Sequence, residues 1–292
     1  MNPTPRIGFI GQGWIGKNYA DDFEKRGYDV VRYALEEPYV SNQGLIPSCD
    51  IVFVAVPTPT TTAGFDRTHV ESALTQVGEG KIAVIKSTLV PGTTEALQAL
   101  FPNIVVLHSP EFLRESNAAY DAAHPVRNIV GVPVESDQYT AAAEAVFAVL
   151  PHAASVHLMT SREAELVKYA GNVFLALKVV YGNMLYDLSA ALSTDYETIR
   201  TVLGADPRIG PSHLNPIDTS GHTDKPGRGA GGHCFIKDLE AFRLLYEAAA
   251  LDPLGNDVFR AVARKNNQLL KTSGKDTDIL SGVYGDTHEL LP

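Results

Sequence analysis

Cysteine is nearly absent from this chain: 292 residues contain two, Cys49 and Cys234. Two thiols so far apart frame no disulfide scaffold and fit a reducing compartment, so a cytoplasmic location is expected. A basic surplus is also missing. The formal charge is −10, whereas a nucleic-acid surface needs clustered Lys and Arg. A small anionic ligand stays open, because a few local cations can override the global field. Long apolar runs are missing too. Stretches such as Ile51–Val56 fall far short of the roughly 20 residues that span a bilayer. Only five residues precede the first apolar run, so no signal peptide and no membrane association are expected. Nine histidines are present, none spaced with a cysteine or a second histidine as metal ligands are. No metal site is expected. There is no internal repeat and no low-complexity segment. What remains is an ordinary globular composition, 45% hydrophobic and 20% charged, long enough for two domains.

The first half alternates short apolar runs with helical patterns. Arg6–Ile10 leads into Gly11-Gln12-Gly13-Trp14-Ile15-Gly16, a GxGxxG between a strand and a helix. The first glycine permits a tight turn, the second lets a pyrophosphate approach the backbone, and the third lets helix and strand pack closely. The helix is expected from Trp14 to Arg26, stopping at Gly27, with a second strand at Asp29–Tyr33. An acid that would hold an adenosine ribose is expected at that strand's end, where Ala34 stands. No basic cluster follows, so NAD is favoured over NADP. Cys49–Val56 reads as a buried parallel strand, with Cys49 a small core residue. Further strands are expected at Ile82–Lys86, Ile104–Leu107 and Asn128–Val132, a helix capped by Thr93-Thr94, and a helix at Ala141–Leu150. The pattern predicts a doubly wound parallel sheet, a Rossmann-like domain over residues 1–158.

The second half reads as all-α. Thr160 and Glu163 form a capping box for a long helix reaching Leu192. On it Lys168, Asn172 and Asn183 sit near 0°, 40° and 60° at about 100° per residue. They share a face with Glu165, and we read that face as lining a cleft. Helices are expected at Thr194–Leu203, Lys237–Ala250 and Pro253–Leu270, with a loop over Pro211–Pro226. The helical domain is assigned to 159–270, and residues 271–292 read as a polar tail. Gly227–Asp238, GRGAGGHCFIKD, places Cys234 after a run of glycines and three residues before Lys237. A neighbouring cation favours a thiolate, which is what a covalent nucleophile needs. The other reading is a glycine-rich turn with a buried cysteine at a helix start.

Taken in order, GQGWIG at 11–16, VPTP at 56–59 with Gly64 and Asp66, KSTLVPGTT at 86–94, SPEFLRES at 109–116, AELVKYAGN at 164–172, DPRIG at 206–210 and GAGGHCFIKD at 229–238 carry a resemblance. The chain resembles the UDP-glucose/GDP-mannose dehydrogenase family from about Arg6 to Asn267. The resemblance implies oxidation of a sugar-nucleotide primary alcohol, UDP-glucose first among candidates, to the carboxylate with two NAD. Lys168 and Asn172 would serve the hydroxyl deprotonation and the oxyanion. Cys234 would form the thiohemiacetal and thioester, and Glu111, Thr88 and Asp238 would support hydrolysis. Gly11, Gln12, Gly13, Trp14, Ile15, Gly16, Val56, Pro57, Thr58, Ser87, Thr88, Glu115 and Lys237 would line the cofactor. Phe112, Leu113, Arg114, Lys168, Asn172, Arg208, Lys225, Gly229 and Gly231 would contact substrate. A homodimer built on the long helix is also implied.

Three departures stand out. The sequence ends about 55 residues after Asp238, so the family's usual third domain is not expected in it; a separate chain is one source for it. The Tyr33–Asp50 connection is short and ends its strand on Ala34. Ala230 stands where phenylalanine is usual, and Met184 where glutamate is common. Two further readings compete: a two-electron dehydrogenase of a small 3-hydroxy acid, which needs neither Cys234 nor Glu111, and a catalytically silent binding protein of the same fold.

Overall fold

The computed structural model describes residues 4–114, 117–286 and 289–291. They fall into two compact units. The first runs through Thr58 and from Asp66 to Lys168; the second takes Pro59–Phe65 and the chain from Tyr169 onward. The division lies inside the long helix, ten residues beyond the cut expected at 158/159.

The first unit is built on β1 (Ile7–Ile10), β2 (Val30–Tyr33), β3 (Ile51–Val54), β6 (Ile82–Ile85), β7 (Val105–His108), β8 (Arg127–Val132) and β9 (Ser155–Thr160). They form one sheet in the order β2-β1-β3-β6-β7-β8-β9. The strands are short and apolar because helices cover both faces. Phe9 and Phe53 stack at 5.0 Å between ring centroids, and Phe23 of α1 (Trp14–Lys25) meets Phe9 edge-on at 5.4 Å. Cys49 is fully buried, as expected of a core residue.

The sheet is parallel except between β7 and β8, which run antiparallel with His108 opposite Gly131. The expected doubly wound parallel sheet thus holds in every pair but this one. Among the described residues between these strands, the chain forms the six-residue α4 (Ala118–Ala123), which packs against α1. A parallel return needs a crossover, and α4 does not make one. β9 was not expected at all. It is an edge strand with Val156 and Leu158 exposed, so its sequence carries no burial pattern. α2 (Thr68–Leu74), α3 (Thr93–Leu100) and α5 (Asp137–Val149) complete the unit.

The second unit holds the greater part of α6 (Ser161–Ala191), with α7 (Tyr196–Gly204), α8 (Gly232–Ala249), α9 (Pro253–Ser273) and α10 (Thr277–Tyr284). A small hairpin, β4 (Thr60–Thr61) with β5 (Gly64–Phe65), packs on α8 and α10. α6 starts on the expected capping box: Thr160 N–H donates to the Glu163 carboxylate at 2.9 Å, and Glu163 N–H to the Thr160 hydroxyl at 3.3 Å. Residues 277–284 correct the polar-tail reading. Leu280, Val283 and Tyr284 are buried with Ile236, Leu239, Leu270 and Leu290. Their spacing is that of one helix face, diluted in sequence by polar and glycine neighbours. Among the described residues no helix is long and apolar enough to cross a membrane.

Candidate active site

In the first unit, β1 lies between β2 and β3, so the turn after it sits where strand order reverses, the usual ligand crevice of such sheets. Gly11 has φ +93°, and a Cβ there would lie 2.2 Å from the Ala55 carbonyl oxygen; one on Gly16 would lie 1.9 Å from the Gly11 oxygen. These two glycines are packing requirements. Gly13 faces open space within 4 Å, which leaves room for a phosphate at the start of α1. No side chain caps that helix, so its first N–H groups are available to an anion. Gln12 folds back on the Gly11 carbonyl at 3.1 Å, while Trp14 is exposed and Ile15 packs on the core. The neighbouring strand ends are tied together. Val56 N–H donates to Ser87 Oγ at 3.0 Å, Ser87 donates to the Val56 carbonyl at 2.6 Å, and Thr58 donates to the Thr88 carbonyl at 2.9 Å. Pro57 is exposed between them. These residues fit a dinucleotide with its pyrophosphate on Gly13. β2 ends at Tyr33, and Ala34 follows with no carboxylate to offer.

The same unit holds a buried ion pair. Lys168 Nζ donates to Glu111 Oε1 at 2.8 Å, with side chains only 5% and 6% exposed. Glu111 also accepts from Leu113 N–H at 2.6 Å. Burial pushes the Glu111 carboxyl up, but the Lys168 ammonium overrides it and the carboxyl lies below its ordinary range. Phe112 lies under two cations, Arg127 at 3.9 Å and Lys168 at 5.4 Å from its centroid. Behind the pair, Lys86 is buried, donates to Ser109 Oγ at 3.1 Å and sits 4.4 Å over the Tyr19 ring. Burial pushes its ammonium down to about 7. Arg114, expected at substrate, is exposed and paired with Asp121 at 2.6 Å. Glu115 lies outside the described residues.

Glu165, assigned from sequence to the cleft-facing stripe, does something else. Its carboxylate accepts Gly92 N–H at 2.6 Å, Thr94 N–H at 2.8 Å and the Thr94 hydroxyl at 2.6 Å. It caps α3, a role expected of Thr93 and Thr94; Thr93 instead donates to the Val90 carbonyl at 2.5 Å. Burial outweighs these bonds and pushes the carboxyl up from 4.5 to about 7. Between those values the native state holds a proton that the unfolded chain has lost. Stability therefore falls as pH rises from 4.5 towards about 7. Glu165→Gln should flatten that part of the curve, measured by urea unfolding at steps across the window. An unchanged slope would show that another group carries it.

In the second unit, Asp238 is fully buried and both its oxygens are engaged. Asn172 donates to one at 2.6 Å and Lys237 to the other at 2.6 Å. Lys237, expected to favour a Cys234 thiolate, thus has its ammonium on Asp238. α8 starts at Gly232, five residues earlier than expected, so Cys234 stands in its first turn and is exposed. This decides against the buried-cysteine reading. Cys234 and Asp238, four apart, share a face of α8, as Lys168 and Asn172 share one of α6. Asn183 is fully buried and accepts from Arg228 Nε at 2.9 Å; it is a structural partner, and Arg228 was not anticipated. A cavity of about 240 Å³ is lined by His213, Asn215, Phe235, Lys275 and the loop containing Gly229 and Gly231. Arg208 is 87% exposed and paired with Asp206, and Lys225 is exposed beside Gly274; neither is tied to Asp238. Among the described residues no group of three or more His, Cys, Asp or Glu could hold a metal ion.

Comparison with known proteins gives matches over both parts of the chain. Residues 40–150 match the NAD binding domain of the UDP-glucose/GDP-mannose dehydrogenase family, and residues 162–268 its central domain. A putative UDP-glucose 6-dehydrogenase of Bacillus subtilis is 36% identical over 208 residues, covering 67% of this chain and 46% of that one. The structure of a UDP-glucose dehydrogenase from Pyrobaculum islandicum superposes with a TM-score of 0.76 at 28% identity, covering 93% of this chain and 72% of that one. The 3-hydroxyisobutyrate dehydrogenase of Mycobacterium tuberculosis shares the fold, with a TM-score of 0.64 at 15% identity over 95% and 98% of the two chains. The chain spans about half the length of the curated relatives it matches. It belongs to the UDP-glucose/GDP-mannose dehydrogenase family.

Proposed function

We propose that this chain oxidises the C6 alcohol of a sugar nucleotide, UDP-glucose first among candidates, to the carboxylate through a thioester on Cys234. The observation that carries the reading is the pairing of two chemistries on helix faces. α6 carries Lys168, buried against Glu111, and one turn later Asn172, bound to Asp238. α8 carries Cys234, exposed in its first turn, and one turn later Asp238. The Gly13 turn would hold NAD, which when bound accepts a hydride at each of the two oxidations.

The chain's own groups supply the rest. Lys168, in the form that has released its ammonium proton to solvent, takes the C6 hydroxyl proton, with Asn172 steadying the oxyanion. Cys234 Sγ adds to the aldehyde carbon, giving a thiohemiacetal that cannot diffuse away. Its oxidation leaves a thioester. Water then adds at the acyl carbon, the C–S bond breaks, and the thiol takes back its proton as the carboxylate leaves. Glu111, Thr88 and Asp238 place or activate that water. Two hydrides and three protons are released per alcohol consumed.

The test is NADH formation with UDP-glucose, GDP-mannose and small 3-hydroxy acids. Turnover with a sugar nucleotide alone supports the reading. Turnover with a 3-hydroxy acid alone, or with none, overturns it in favour of the two-electron or the silent alternative.

We also propose a homodimer through α6. Phe174, Tyr181, Met184 and Leu188 are all more than half exposed and fall within about 80° of one another on the helix, an apolar stripe that suits a second copy. Phe174→Glu with Leu188→Glu should halve the mass in solution. A monomeric wild type would refute the assignment.

A further inference from the structure

The segment after α9 contains the least expected contacts in the molecule. Its sequence, SGKD at 273–276, looks like the exit from a helix. In the structure it reaches back some 45 residues and takes hold of the loop that leads into Cys234. Ser273 Oγ accepts Arg228 N–H at 2.9 Å. Lys275 Nζ donates to the Gly229 carbonyl at 3.0 Å and lies 3.5 Å from that of Gly227. Asp276 accepts Gly232 N–H at 2.8 Å on one oxygen and the Ser220 hydroxyl at 2.9 Å on the other. From α9 itself, Asn266 holds Ala230 by both ends, accepting its N–H at 2.7 Å and donating to its carbonyl at 3.0 Å. Gly227 pairs with Asp218 in an isolated bridge, and the backbone groups of Arg228, Gly229, Ala230 and Gly232 bond to α9 and the turn that follows it. Irregular backbone is fixed only when such partners exist.

The glycines of this loop have the same explanation. A Cβ on Gly227 would lie 2.6 Å from Lys275 Cβ, and one on Gly231 would lie 2.1 Å from Asp276 Oδ2 and 2.9 Å from Lys275 Cε. The loop is glycine-rich at these positions because its own chain presses against it.

We infer that the 273–276 turn, with Asp276 as its central residue, is the positioning device for Cys234: it fixes the first turn of α8 from outside the helix. Gly231 is the N-cap of α8 and has no capping side chain of its own. The carboxylate of Asp276 takes the N–H of Gly232, the first orphan donor of the helix, from outside it. Cys234 lies two residues further on, inside the turn so fixed. Asp276 is held in turn. Its backbone is left-handed, with φ +51°, a conformation that Asp and Asn tolerate best after Gly. Lys275 and Asp276 are each only 3% exposed, and α10 begins directly after them and is anchored in the core by Leu280 and Val283. A second tie runs alongside, with His222 paired to Asp278 at 2.7 Å and its ring edge-on to His233 at 4.6 Å.

Two substitutions separate positioning from stability. Asp276→Gly keeps the left-handed backbone accessible and removes the carboxylate. Asp276→Asn keeps an acceptor for Gly232 and serves as the conservative rescue. The first readout is amide hydrogen exchange over residues 227–235 in the full chain. Asp276→Gly should raise it about tenfold and Asp276→Asn should leave it within about threefold. The second is steady-state kinetics with NAD and the sugar nucleotide, and it rests on Cys234 being the nucleophile. There Asp276→Gly should lower kcat about tenfold while KM for NAD stays within about twofold, because a displaced nucleophile loses rate and not cofactor binding. Unchanged exchange in Asp276→Gly, or faster exchange with unchanged kcat, would overturn the inference. If no sugar nucleotide is turned over, the function reading fails by itself, and exchange alone decides the inference.

Discussion

Replacing Cys234 by alanine is expected to stop the reaction after the first hydride transfer. The first oxidation needs a base for the hydroxyl proton and an acceptor for the hydride, and Cys234 is neither. The second needs a carbon that bears a hydride and is no longer a free aldehyde. The thiol supplies that state by adding to the carbonyl. Without it the variant should release one equivalent of aldehyde, trappable with a hydrazine, while carboxylate formation falls at least about a thousandfold. The structure makes the variant clean. Cys234 is exposed in the first turn of α8, so truncating it leaves no cavity. Cys49 is buried and its thiol is pushed by burial up to about 11, so it offers no substitute nucleophile. Carboxylate formed at the wild-type rate would remove the thioester from the account.

The second large effect is expected at the Lys168–Glu111 pair. Lys168→Met leaves a carboxylate that is buried and without its ammonium. Breaking such a pair from one side costs about 3–5 kcal/mol, and loss of the base lowers turnover by about 10²–10⁴. Stability and rate can be separated. Lys168→Met combined with Glu111→Gln leaves no buried charge at the pair, so it should recover most of the lost stability, read by urea unfolding. It should recover none of the rate. Recovery of both would mark the pair as structural and move the base elsewhere; recovery of neither would point to packing around Phe112 as the cause of the loss.

The features legible in the sequence were those with local causes. The GQGWIG turn needs glycine at Gly11 and Gly16 because a Cβ would strike the Ala55 and Gly11 carbonyls, and that steric rule shows in residue type and spacing. The capping box at Thr160 and Glu163 is a three-residue relation. The strands announced themselves through burial on both faces, and β9, exposed at the edge, did not. The features that stayed hidden have distant partners. Glu165 looks like one member of a polar stripe, yet its carboxylate caps a helix more than 70 residues earlier. Lys275 and Asp276 look like a helix exit, yet they hold a loop 44 to 46 residues upstream. A polar residue whose partner is fixed by tertiary packing has no signature in its own neighbourhood. Charge in a low-dielectric interior then adds what spacing cannot reveal, as with Lys86, which burial and the nearby Lys168 push down to about 7 against the pull of Glu111.

The central claim is a four-electron oxidation completed on one cysteine. The most direct measurement is the yield of NADH from a limiting amount of UDP-glucose, followed to completion with NAD in excess. The account predicts two NADH for each sugar nucleotide consumed, with no aldehyde trapped along the way. One NADH per sugar nucleotide, with aldehyde or ketone as the product, would contradict it and assign the chain to two-electron chemistry.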